Sequence, residues 1–192
     1  MITGILLAAG RSQRYGSNKL LSPVKNGVAM AIVAARNLLA AVDEVVVVVP
    51  PNAGALAEQL QQECLQVVCC DNAAQGMSES LKAGLLAANE ATGWLIALAD
   101  MPFIQVKTIC SVSQQLQKGA SIVAPYYRGN RGHPVGFGTQ HKAELLSLEG
   151  DRGAWGLLKQ HAAQICKVNC NDPAILIDVD TLADMRRVSD VF

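Results

Sequence analysis

Ile5-Leu-Leu-Ala-Ala-Gly-Arg-Ser-Gln-Arg-Tyr-Gly-Ser-Asn-Lys-Leu20 is the stretch whose reading decides the fold. Its apolar start ends abruptly in a loop with two glycines, two arginines and a lysine. A short apolar run before such a loop suits a buried parallel strand. The loop leaves the strand's carboxyl end, where open α/β sheets hold their ligands. Gly10 and Gly16 let backbone N–H groups approach an anion closely, while Arg11, Arg14 and Lys19 bring positive charge. The residues read as a phosphate cradle.

The cradle is neither of two familiar kinds. A Walker A loop places four residues between its glycines and a lysine straight after the second. Here five residues separate Gly10 from Gly16, and Ser17 and Asn18 precede Lys19. The dinucleotide pattern G-x-G-x-x-G is absent as well.

Outward from the loop, strand and helix patterns alternate. Met30, Val33, Ala34, Leu38 and Ala41 mark one face of a helix over 29–41. The β-branched run 45–49, stopped by Pro50-Pro51, predicts a central strand. Leu56 and Leu60 sit on a short helix, and 65–70 reads as a strand. A polar loop leads to Ser78, which with Glu79 and Ser80 marks a helix start, and Leu81, Leu85 and Leu86 supply that helix's buried face. The apolar strand 94–99 ends at Asp100-Met-Pro102. A helix follows with Ile109, Val112 and Leu116 inward, then a strand over 120–125 and a glycine-rich turn into an extended segment over 129–138. Ala154, Leu157, Leu158 and His161 share a helical face. Short strands are expected over 165–168 and 175–179, with Thr181 capping a last helix. This alternation predicts an α/β fold, a three-layer α/β/α sandwich on a mostly parallel, doubly wound sheet, with residues 1–192 as a single domain.

Composition narrows the function classes. Sixteen basic residues balance sixteen acidic ones, and aromatics make up 4%. Such a chain is a poor nucleic-acid or membrane-surface binder, so neither partner is expected. The apolar start has no basic run ahead of it and no segment reaches a membrane span, so no signal peptide and a cytoplasmic location are expected. The six cysteines contain no C-x-x-C pair, and buried, reduced thiols are the expectation.

Asp100, at a strand's carboxyl end beside a phosphate loop, is well placed to hold Mg²⁺; its alternative role is to cap the helix beyond Pro102. Asp178 and Asp180 share one face of an extended segment, and Asp180 is either a second metal ligand or a helix cap. His133, between Gly132 and Pro134, either contacts an anionic substrate or is structural. His161 is expected as a satisfied core or boundary residue and His141 as a surface residue. Lys19 is expected to make no buried contact.

Leu7-Ala-Ala-Gly-Arg-Ser-Gln-Arg-Tyr-Gly-Ser-Asn-Lys19 resembles the L-A-[AG]-G-x-S-x-R-[MFY]-G-x-x-K signature of the MobA-like NTP transferases. Within them the chain is most similar to the molybdenum cofactor cytidylyltransferases. The likeness continues through Gln75-Gly-Met-Ser-Glu-Ser-Leu81, Leu98-Ala-Asp-Met-Pro102, Gly132-His-Pro-Val-Gly136, Gly150-Asp-Arg-Gly153 and Asp178-Val-Asp-Thr181. It implies a nucleotide-diphospho-sugar transferase-like fold and transfer of CMP from CTP to the terminal phosphate of molybdenum cofactor (molybdopterin), releasing pyrophosphate. By the same resemblance Arg14, Lys19 and Asp100 are catalytic, and Mg²⁺ sits on Asp100 and Asp180. Leu7, Ala8, Ala9, Gly10, Arg11, Ser12, Met77, Ser78 and Ser80 face the nucleotide, with Arg131 and His133 on the pterin side. Ala9, where the guanylyltransferases tend to carry glycine, disfavours a purine sterically. Two positions depart from the family pattern: Trp155 replaces an arginine, and Leu182-Ala183 replaces Pro-Glu. The rival readings are guanylyl transfer, a sugar- or alditol-phosphate nucleotidyltransferase, and a non-catalytic carrier delivering molybdenum cofactor to an apo-molybdenum hydroxylase.

Overall fold

The computed structural model describes residues 1–10, 19–88 and 90–189. The apolar runs become strands β1 (Ile2–Leu7), β2 (Glu44–Val49), β3 (Gln66–Cys69), β4 (Gly93–Leu98), β5 (Ile122–Tyr127), β6 (Asn130–Arg131), β7 (Val135–Gly138) and β8 (Ile165–Asn169). The helices are α1 (Met30–Leu39), α2 (Ala55–Gln62), α3 (Met77–Ala87), α4 (Val106–Gln117), α5 (Lys142–Leu146), α6 (Trp155–Gln160) and α7 (Leu182–Ser189).

One eight-stranded sheet runs in the order β3-β2-β1-β4-β7-β5-β6, with β8 added on β5. Neighbours from β3 to β4 are parallel, with Leu7 opposite both Val48 and Leu98. β8 lies parallel to β5. β7 is antiparallel to β4 and β5, and β6 to β5.

Side-chain alternation along the strands builds the layers. Val45, Val47 and Val49 enter a core with Leu38, Leu56, Leu60, Ile109, Val112 and Leu116. Val46 and Val48 enter a second core with Leu81, Leu85, Leu157 and Leu158 on the other side of the sheet. The continuous valine run is therefore apolar because both faces are covered. Each valine so buried contributes about 1.5–3 kcal/mol over leaving it exposed. α1, α2 and α4 form one outer layer, and α3, α5 and α6 the other.

Three expectations are corrected. Leu86 is 63% exposed. The buried stripe of α3 runs through Leu81, Gly84, Leu85 and Ala88, and Leu86 stands one residue round the helix from it. The strand expected over 175–179 is instead a short 3-10 helix, Pro173–Leu176, followed by an extended segment. Asp172 accepts from the Ala174 N–H at 3.2 Å and Pro173 holds the first helical position, so cap chemistry overrides the apolar run. His141 is buried, packed edge-on to Phe137.

Thr181 does cap α7. Its hydroxyl accepts from the Asp184 N–H (3.1 Å), while Asp184 Oδ2 accepts from the Thr181 N–H (2.9 Å), a reciprocal capping box. Among the described residues no helix is long and apolar enough to cross a membrane.

Candidate active site

β1 and β4 are adjacent and parallel, so the residues following both emerge at one edge of the sheet. Backbone pairing continues past their ends, with Ala8 N–H donating to Val48 (2.8 Å) and Ala99 N–H to Leu7 (3.1 Å). Asp100 is delivered one residue later. Its carbonyl accepts from the Val179 N–H at 2.9 Å, which draws the 178–180 segment alongside.

Lys19 Nζ lies between the two carboxylates, 2.9 Å from Asp100 Oδ2 and 2.7 Å from Asp180 Oδ1. Lys19 is only 8% exposed, which corrects the expectation that it makes no buried contact. Burial alone would lower its pKa, but Asp180 and Asp100 outweigh that and raise it above the usual 10.5. The ammonium is therefore charged throughout the neutral range. Asp178, beside them, has its pKa raised by desolvation, with Asp180 and Asp100 adding to the effect. Carboxylate oxygens converging on one cation are the donor chemistry that hard divalent ions take, so Asp100 and Asp180 fit such an ion.

A cleft of about 390 Å³ opens over this group, lined by Leu7, Gly10, Lys19, Met77, Ser80, Asp100, Asp151 and Asp180. Met77 is the first residue of α3, so the positive end of that helix opens onto the cleft. Gly76 makes this possible. Its φ is +139°, and a Cβ there would lie 2.5 Å from the Gly150 carbonyl carbon. The two loops touch backbone to backbone, and Asp151 thereby reaches the cleft.

A second lobe of about 230 Å³ adjoins the first, sharing Leu7, Met77, Leu98 and Asp151. Leu81, Ile96, Val135, Phe137 and Leu158 make it apolar, and Arg131, His133 and Trp155 also line it. Gly132 lets the His133 loop press against the 173–176 segment, because a Cβ there would overlap the Ile175 carbonyl oxygen. The same oxygen accepts from the His133 N–H at 3.0 Å.

His133 Nδ1 is buried with no hydrogen-bond partner among the described residues. Burial, helped by the Arg131 guanidinium, lowers the imidazole pKa from 6.5 to about 4, against a weaker opposite pull from Asp100. The ring is neutral at physiological pH. Because the unfolded chain protonates this histidine below 6.5 and the folded one only near 4, this group contributes stability above 6.5 that is lost as pH falls to about 4. The expected slope from this one group is up to about 1.4 kcal/mol per pH unit. Urea unfolding at a series of pH values should show His133→Asn losing that component of the acid sensitivity; an unchanged slope would refute the neutral imidazole.

The structure thus brings Lys19, Asp100, Asp180, Leu7, Gly10, Met77 and Ser80 to one cleft, with Arg131 and His133 next door. Ala8 and Ala9 are buried between Leu7 and Gly10, both of which line the cleft. Ser78 is fully buried, lines neither lobe, and its hydroxyl has no partner among the described residues. Arg11, Ser12 and Arg14 lie outside the described residues. Sequence reasoning missed Asp151 as a site residue. Its position between Gly150 and Gly153, in a block already matched to the family pattern, was the available signal.

Residues 4–165 match the family model described as the MobA-like NTP transferase domain. Nicotine blue oxidoreductase of Paenarthrobacter nicotinovorans is 30% identical over 195 residues, covering 97% of this chain and 96% of that protein. Among solved structures, a nucleotidyl transferase from Methanothermobacter superimposes with a TM-score of 0.85 at 25% identity, covering 100% of this chain and 97% of that one. Rv0371C from Mycobacterium tuberculosis, in complex with manganese, gives a TM-score of 0.81 at 26% identity, covering 100% and 99%.

Proposed function

The chain belongs to the MobA-like NTP transferase family, and from that premise we propose that it moves CMP from CTP to the terminal phosphate of molybdenum cofactor, releasing pyrophosphate. The observation that carries the proposal is the Lys19 ammonium held between Asp100 and Asp180 at the floor of a two-lobed cleft. The lobe that holds Lys19 and the carboxylates is the more polar and takes the triphosphate. The other is apolar, with a neutral imidazole, a guanidinium and an indole, and suits a flat heteroaromatic acceptor carrying an anionic tail.

An acceptor phosphate oxygen attacks the α-phosphorus of CTP in line. The new P–O bond forms as the bond to the β-phosphate oxygen breaks, and pyrophosphate departs. The nucleophile is already an anion, so no general base is needed, and rate comes from positioning and charge neutralisation. Lys19 and Arg14 hold the departing pyrophosphate. The backbone from Leu7 to Gly10, with Arg11 and Ser12, cradles the nucleotide, and Met77 and Ser80 bound the base and ribose side. Arg131 and His133 orient the acceptor. Magnesium on Asp100 and Asp180 would neutralise charge on the phosphates; that the similar Rv0371C has been obtained as a manganese complex supports a divalent ion in the reaction.

The relative from Paenarthrobacter is named an oxidoreductase, which supplies a second reading: redox chemistry on a heteroaromatic compound in the apolar lobe. The Lys19–Asp100–Asp180 arrangement favours transfer, since hydride movement has no use for two carboxylates aimed at one cation. One assay separates the readings. CTP, GTP and UTP are offered in turn with a divalent cation, with and without molybdenum cofactor, and pyrophosphate is measured. Release with CTP that depends on the cofactor is the expected result. Release with GTP, or with a sugar or alditol phosphate as acceptor, would move the assignment within the family. Binding without release would make the chain a carrier for an apo-molybdenum hydroxylase. Oxidation of a reduced nicotinamide nucleotide, with no pyrophosphate, would decide for the redox reading.

A further inference from the structure

At the edge of the sheet opposite the cleft, two histidines and a glutamate face one another. β7 runs antiparallel to β4, so Gly138 pairs with Gly93 at the start of β4, and His141 follows three residues later. Glu144 lies three residues on, in α5, and His161 closes the end of α6. His141 Nδ1 is 3.1 Å from Glu144 Oε1, and His161 Nε2 is 2.7 Å from Glu144 Oε2. The two imidazole rings stand 5.0 Å apart, edge to face. One ligand atom from each of the three residues can be chosen so that all lie within 4.8 Å of one another.

We infer that His141, Glu144 and His161 form a second metal site, separate from the catalytic cleft, for a divalent transition metal of the zinc type. Three features of the cluster support it. The first is ligand chemistry: two imidazoles and a carboxylate are the nitrogen and oxygen donors zinc accepts, whereas the all-oxygen cleft suits magnesium. The second is the outer contact. His141 Nε2 lies 2.7 Å from Ser121 Oγ, and Ser121 Oγ donates to Gln164 Oε1 at 3.3 Å. Ser121 and Glu144 thus hold the His141 ring from its two nitrogens, and a metal-bound histidine is oriented by this kind of contact on its far nitrogen. The third is access. The His141 side chain is 4% exposed and that of His161 17%, but Glu144 is 38% exposed, which leaves room for a water as fourth ligand.

The fit requires little movement. Bonds of about 2.0–2.1 Å in a tetrahedral site put neighbouring donors about 3.4 Å apart. The widest separation then has to close by about 1.4 Å, within reach of side-chain rotation at Glu144 and His161. The ion would tie α5 to the end of α6, the helix whose Trp155 and Leu158 line the apolar lobe.

The test uses the full chain stripped of metal, with Co²⁺ as a spectroscopic probe and Zn²⁺ as competitor. One equivalent of Co²⁺ is expected to give the visible absorption of a tetrahedral nitrogen/oxygen site, abolished by Zn²⁺ and untouched by excess Mg²⁺. Glu144→Gln and His161→Gln should lose the band at concentrations that saturate the unaltered chain, while Asp100→Asn keeps it. Ser121→Ala keeps all three ligands and should weaken binding by about 10–100-fold. Zinc should also raise the melting temperature of the unaltered chain and of Asp100→Asn, but not of Glu144→Gln. Absence of the band, its survival in both ligand variants, its loss in Asp100→Asn alone, or a thiolate charge-transfer band assigning the metal to cysteines would each overturn the inference.

Discussion

Asp100→Asn is expected to cut pyrophosphate release from CTP by about 10²–10³-fold while the far-ultraviolet circular dichroism stays that of the unaltered chain. The substitution preserves shape and removes one charge. In the fold Asp100 has two separable roles. Its backbone carbonyl accepts from Val179 N–H, and its carboxylate holds Lys19 Nζ at 2.9 Å. Asparagine keeps the first and removes the charge from the second. Lys19 retains Asp180 at 2.7 Å, so the site keeps its arrangement and loses one of the two carboxylate charges that hold Lys19. Turnover close to that of the unaltered chain would remove Asp100 from the chemistry and with it the metal assignment.

Lys19→Met is expected to injure both activity and stability, in proportions that reveal what the ammonium does. Without it, Asp100 and Asp180 lose the ammonium that both of them hold. Removing one partner from a buried ion pair costs about 3–5 kcal/mol. The Asp180 side chain is 46% exposed and therefore partly screened, so a loss of about 1–3 kcal/mol at neutral pH is expected for the metal-free chain. Added Mg²⁺ or Mn²⁺ should recover part of that stability, because it supplies the missing positive charge. The divalent ion should not recover turnover, because the lysine proposed to hold the departing pyrophosphate is still absent. Denaturant titration with and without the ion, beside the pyrophosphate assay, reads both. An unchanged denaturation midpoint would mean that the carboxylates do not depend on Lys19 for neutralisation.

Much of the architecture was legible from local patterns. The valine run of β2 is uninterrupted because both faces are covered, and a run of that kind predicts a central parallel strand with no other information. The Thr181 cap was readable for the same reason: its partner Asp184 lies three residues away, within one helical turn. Where local reading failed, a neighbour decided the outcome. Leu86 fits an apolar count along α3, but the helix presents only one stripe to the sheet. The 175–179 run looks extended until Asp172 is seen accepting from Ala174 on one side and from Gln105 N–H and Thr108 on the other.

The site divides along the same line. Sequence by itself determined the family, and it nominated the phosphate loop and the carboxylates, because each lies within a contiguous block whose spacing carries its chemistry. Only the tertiary structure decided that Lys19 sits between Asp100 and Asp180, partners 81 and 161 residues away. It also placed Asp151 in the wall of both lobes, buried Ser78 away from them, and gathered His141, Glu144 and His161 at the far end of the sheet. The physical reason is range. Periodicity and capping register interactions within a few residues, whereas strand order sets which distant loops share an edge, and charge and burial act only between groups that the sheet has already made neighbours.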